Sequence, residues 1–121
     1  MSLHIYGLKN CSTCVKAQKW LSAQGVAFEF HDLRQQVPSF DELARWADNV
    51  GWDALINKKS QTWRQLTDVQ KALTAPNDLS QLVQAYPSLL KRPLLENTQN
   101  NMMLLGFSEE SYQSLLSSLT S

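Results

Sequence analysis

The sequence predicts an α/β fold: a mixed four-stranded sheet with a helical region inserted between its second and third strands. Three observations predict it. A short apolar run, Leu3-His4-Ile5-Tyr6, leads through a turn into an amphipathic segment, Val15 to Gln24, and then into a weakly alternating run, Val26 to His31. From about residue 38 to about residue 90 the apolar spacing becomes helical. Two further apolar runs, Leu94-Leu95-Glu96 and Met102-Met103-Leu104-Leu105, flank the turn-rich stretch Asn97 to Asn101 and read as a hairpin.

The elements follow in order. Ala17, Trp20 and Leu21 share one face of the first helix, and Gly25 is placed to end it because glycine enters the left-handed region freely. Two strands joined by a crossover helix form a βαβ unit and pair in parallel. After Pro38, Ser39-Phe40-Asp41-Glu42 is a capping box, in which serine and glutamate satisfy free N–H groups reciprocally. Phe40, Leu43, Ala44, Ala47 and Val50 then recur at helical spacing until Gly51. Asn57 to Thr62 is polar and reads as a loop, with Trp63 and Leu66 packing back. Thr67 and Gln70 make a second capping box ahead of Val69, Ala72 and Leu73. Pro76-Asn77-Asp78 starts another helix, whose face is Leu79, Leu82, Val83 and Tyr86. Gly106 ends the hairpin. Ser108 caps the last helix, with Phe107 and Tyr112 in the hydrophobic-staple arrangement and Leu115, Leu116 and Leu119 continuing its buried face. The order βα-β, helices, β-β-α is that of an elaborated thioredoxin-like fold: one domain over 1–121, with its insertion at about 38–90.

Composition narrows the function classes. Lys+Arg and Asp+Glu number 11 each in 121 residues, so no global field points to nucleic acid or an anionic membrane. No run of about 18 apolar residues suggests a membrane span. The N-terminus lacks a signal peptide's charged start and long apolar segment, so a cytoplasmic setting is expected. There a persistent disulfide is unusual and a catalytic or sensing one is not.

The chemistry concentrates in Lys9-Asn10-Cys11-Ser12-Thr13-Cys14. A thiol at a helix start faces unpaired N–H groups and the positive end of the helix dipole, which favour its thiolate. A second thiol three residues on can attack a mixed disulfide formed at the first. Strand, C-x-x-C, helix is the thioredoxin-type redox signature. The competing readings are two inert core thiols, a structural disulfide and a zinc site. Zinc needs about four ligands, and His4 and His31 show no ligand spacing along the chain, so no metal is expected. In this fold a proline opening a strand faces the active thiol, often across a cis bond. Pro93 is the candidate, which puts the Arg92 guanidinium near Cys11; the alternative is a solvated basic pair, Lys91-Arg92.

Ile5-Tyr6-Gly7-Leu8-Lys9-Asn10-Cys11, Lys91-Arg92-Pro93-Leu94-Leu95 and the tail Leu104 to Tyr112 together resemble the ArsC-like superfamily. Leu55-Ile56-Asn57 and Thr62-Trp63-Arg64 resemble its YffB branch of thiol reductases. The resemblance implies a cytosolic thiol-dependent oxidoreductase with Cys11 as nucleophile, Cys14 as resolving thiol and Arg92 as thiolate or anion stabiliser. It implies glutathione as co-substrate, or a protein thiol or disulfide as partner, with no bound cofactor. Lys9, Asn10, Ser12, Asn57 and Pro93 are the expected substrate contacts. Arsenate reductases of the superfamily use two further arginines on the oxyanion, and their counterparts here are Asn57 and an apolar position near Leu105. Arsenate reduction is therefore expected to be absent or marginal. Cys14 gives a second resemblance, to the Spx branch, in which C-x-x-C is a redox switch in a protein that binds RNA polymerase.

Overall fold

In the computed structural model, which describes residues 3–119, the chain forms two compact units. One is built from the segments up to Asp32 and from Arg92 onward; the other is Leu33–Lys91.

The first unit carries the sheet. Its strands are β1 (Leu3–Gly7), β2 (Glu29–Asp32), β3 (Leu94–Asn97) and β4 (Met102–Leu105), and its helices are α1 (Ser12–Ala23) and α7 (Glu109–Leu119). The sheet order is β2-β1-β3-β4. β1 pairs with β2 in parallel, with Ile5 opposite Phe30; β3 pairs antiparallel with both β1 and β4. Alternation along the strands puts Leu3, Ile5 and Leu95 on one face, where they form a core with Ala17, Leu21, Tyr112 and Leu115. Phe107 and Tyr112 meet edge to face at 4.8 Å, and the Ser108 hydroxyl accepts from Ser111 N–H, so the predicted staple and cap are both present. Leu116 packs against the core, while the side chain of Leu119 lies outside the described residues.

β2 begins three residues later than the alternation suggests. Val26 N–H donates to Leu21 carbonyl and Gly25 N–H to Ser22 carbonyl, with Gly25 at φ 71°. This Schellman closure commits Val26 to ending α1 rather than to the ladder. Val26 and Phe28 still pack on the core, which is why they read as strand residues.

The second unit is helical: α2 (Phe40–Val50), α3 (Trp52–Leu55), α4 (Gln61–Arg64), α5 (Asp68–Lys71), α6 (Pro76–Ala85) and a 3-10 turn at Pro87–Leu89. Both capping boxes form as predicted, Ser39 with Glu42 and Thr67 with Gln70. Part of the polar loop is helix instead, because the Ser60 hydroxyl accepts from Trp63 N–H and caps α4. The apolar faces also shift. α2 buries Leu43 and Trp46, whereas Phe40 and Ala44 are exposed. Val69 is 77% exposed, since α5 is a single turn, and Tyr86 caps α6 and stays largely exposed. Leu66, Leu82 and Leu89 form the local core, joined by Trp63 and Leu73. An Ile56–Leu90 bridge closes the unit, with Asn57 N–H on Leu89 carbonyl and Lys91 N–H on Leu55 carbonyl, both at 2.8 Å.

Candidate active site

The first unit assembles Cys11, Cys14, Arg92 and Pro93. β1 ends at Gly7, and Cys11 N–H donates to Leu8 carbonyl, turning the chain into α1. Cys11 is the N-cap residue, in extended conformation (φ −88°, ψ 118°), and its carbonyl accepts the first helical bond from Val15. Its thiol is part-buried and not joined to Cys14, which lies one turn on and is fully buried.

Position separates the two thiols electrostatically. Burial opposes ionisation of Cys11, but the N–H of Cys14, the Cys14 thiol, the Arg92 charge and the N–H of Thr13 together outweigh it. Its pKa is lowered from the ordinary thiol value. The sulfur does not complete a capping hydrogen bond, so these donors act as aligned dipoles at the helix end. Cys14 goes the other way. Burial is the main cause, and the neighbouring Cys11 adds to it against Leu8 N–H and Arg92, so the thiol is pushed up to about 12. Cys11 is thus the thiol that ionises first, and Cys14 holds its proton to higher pH.

The Arg92 charge lowers the pKa of both thiols. The Arg92–Pro93 bond is cis, Pro93 is buried, and its carbonyl accepts from Gly106 N–H at 2.9 Å. Lys9, Asn10 and Ser12 ring Cys11 in sequence and are all exposed. Asn57 belongs to the helical unit, where its amide oxygen accepts from Lys59 N–H at 3.0 Å and closes an Asx-type turn.

Two residues, Gly7 and Tyr112, act on the thiols although the sequence did not connect them with the site. A Cβ at Gly7 would stand 2.5 Å from the Cys14 sulfur, so only glycine lets that thiol lie against β1. The Tyr112 hydroxyl is buried, with no hydrogen-bond partner among the described residues, and its pKa is raised first by burial and then by Cys14. Neither has a local signature: each depends on which helix packs behind the strand.

A mixed sheet ordered β2-β1-β3-β4, with a C-x-x-C at the start of its crossover helix and a cis-proline opening β3, defines a thioredoxin-like protein. The chain belongs to the ArsC family, whose model matches residues 6–115. It is 39% identical over 110 residues to an uncharacterized protein of Haemophilus influenzae, covering 90% of this chain and 94% of that one. It is 30% identical to the global transcriptional regulator Spx of Streptococcus mutans, over 88% of this chain and 77% of the regulator. Among solved structures, the YffB protein superposes with a TM-score of 0.84 at 35% identity, over 93% of this chain and 96% of the other.

Proposed function

We propose that this protein is a thiol–disulfide oxidoreductase that acts on glutathione mixed disulfides or on a protein disulfide. The observation that carries this reading is the split between the thiols: Cys11 lowered and part-exposed, Cys14 raised and buried. The Cys11 thiolate attacks one sulfur of the substrate disulfide, forming a mixed disulfide with Cys11 and releasing the other sulfur as a thiolate. That step removes the negative charge on Cys11, and with it the part of the upward push on Cys14 that comes from Cys11. Cys14 then gives up its proton and attacks the Cys11 sulfur. The Cys11–Cys14 disulfide forms and the bound thiol leaves reduced, so both substrate sulfurs have gained the two electrons the cysteines lost. Two equivalents of an external thiol, with glutathione as the proposed donor, restore the pair. Arg92 supports the thiolate before attack and the leaving thiolate after it.

The test is turnover of a glutathione mixed disulfide with excess glutathione, beside an arm with arsenate as oxidant. The reading expects many turnovers per protein, none for Cys11→Ser, and negligible arsenate reduction. A protein that oxidises once and stops contradicts the enzyme reading. It would favour a redox-sensing regulator, the reading that 30% identity to Spx supports, and RNA polymerase would then be the partner to test.

A further inference from the structure

On the sheet face opposite the Ile5 core, the parallel register of β1 and β2 sets His4 opposite Glu29 and Tyr6 opposite His31. Alternation puts all four side chains on that face. His4 Nδ1 lies 2.9 Å from His31 Nε2 and 3.4 Å from a Glu29 carboxylate oxygen, and His31 Nε2 lies 3.7 Å from that same oxygen. Both imidazoles are about three-quarters buried, and Glu29 is open to solvent. No local spacing reveals this cluster; the ligands meet only across the strand pair.

We propose that His4, Glu29 and His31 form a binding site for a divalent transition metal of the zinc class. The separations fit the chemistry. Two donors held about 2.0–2.1 Å from a tetrahedral zinc stand about 3.3 Å apart, in the middle of the three separations observed here. Two imidazoles and one carboxylate are a donor set such cations favour over calcium or magnesium, which take oxygen. The rings are also held in place. Tyr6 stacks on His31 with centroids 4.7 Å apart and planes 16° apart, and the two imidazoles stack on each other at 5.1 Å. The ligand atoms therefore lie within reach of one ion before it arrives, and the exposed Glu29 has the most conformational freedom to lose.

The existing contact shows what binding requires. A hydrogen bond between Nδ1 of His4 and Nε2 of His31 needs a proton on one nitrogen and a lone pair on the other, so at least one ring is neutral. For both nitrogens to ligate, that proton moves to the other nitrogen of its own ring, a change of tautomer without change of charge. Three protein ligands on a solvent-facing patch leave the fourth position to water. The ion would tie β1 to β2 without using either thiol.

Thiolates are zinc ligands in general, so the test uses the Cys11→Ser/Cys14→Ser protein, titrated calorimetrically with Zn2+ alone, with the thermal midpoint measured in parallel. The proposal expects one equivalent bound and a raised midpoint. His4→Ala and His31→Ala should each weaken binding by about tenfold or more. Glu29→Gln, a change at an exposed side chain that leaves folding intact, should weaken it as well. Absence of saturable binding, or binding indifferent to these replacements, overturns the site. Loss with the histidine variants but not with Glu29→Gln overturns the three-ligand assignment.

Discussion

Cys11 and Cys14 are the same side chain one helical turn apart, yet their protons are held very differently. The N-cap position offers Cys11 dipoles and the Arg92 charge, and the first turn encloses Cys14 behind Gly7. Replacing Arg92 with Ala removes one of the lowering influences, so the apparent pKa of Cys11 should rise and its alkylation near neutral pH should slow. Rates followed residue by residue by peptide mass spectrometry check this; an unchanged Cys11 profile contradicts it. The raised pKa of Cys14 is also a statement about stability. Above 9.0 the unfolded thiol ionises while the folded one keeps its proton until about 12. Stability is therefore lost as pH rises through that window, by up to about 4 kcal/mol if the whole shift is expressed. Tyr112, raised in the same direction, adds to the loss at the alkaline end. Denaturant midpoints between pH 8 and 11 should fall more steeply for the native chain than for Cys14→Ala. At this scale the sequence was informative wherever neighbours are local, as for the C-x-x-C and Arg92-Pro93. It set His4 and His31 aside as ligands for want of spacing along the chain and left Glu29 unmarked, because their meeting depends on strand register.

Among the elements, caps were legible and phases were not. Ser39–Glu42, Thr67–Gln70 and Ser108 each act within three residues, so their signatures survive any tertiary context. The phase of α2 does not. Phe40, Leu43, Ala44, Ala47, Val50 and Leu43, Trp46, Ala47, Val50 both satisfy helical spacing, and only burial of the large indole decides for the second. Trp46→Ala should accordingly cost about 3–5 kcal/mol, while Phe40→Ala, at an exposed first-turn position, should change stability by about 0.5 kcal/mol or less. Urea denaturation of the two variants separates these outcomes. Equal losses would contradict the phase.

At the scale of the whole molecule, the connectivity was readable because each step is constrained. A parallel pair needs a crossover helix and a short polar loop makes a hairpin, so the β1–β2 and β3–β4 pairings could be read, whereas the antiparallel β1–β3 pairing that joins them is a property of the folded sheet. Where the insertion begins and ends was less so: the helical unit runs from Leu33 to Lys91, wider than the helical periodicity, because its flanking segments pack without repeating. No helix among the described residues is long and apolar enough to cross a membrane. The sheet holds the start of α1 and the start of β3 together, so that a helix end, a guanidinium and two thiols share one place. Intact-protein mass spectrometry after exposure to glutathione disulfide tests that division of labour most directly. Cys14→Ser should accumulate one glutathione on Cys11, the native chain should pass on to an internal disulfide without retaining the adduct, and Cys11→Ser should take up none. Glutathione held on Cys14 in Cys11→Ser at the rate seen on Cys11, or a stable adduct on the native chain, would contradict it.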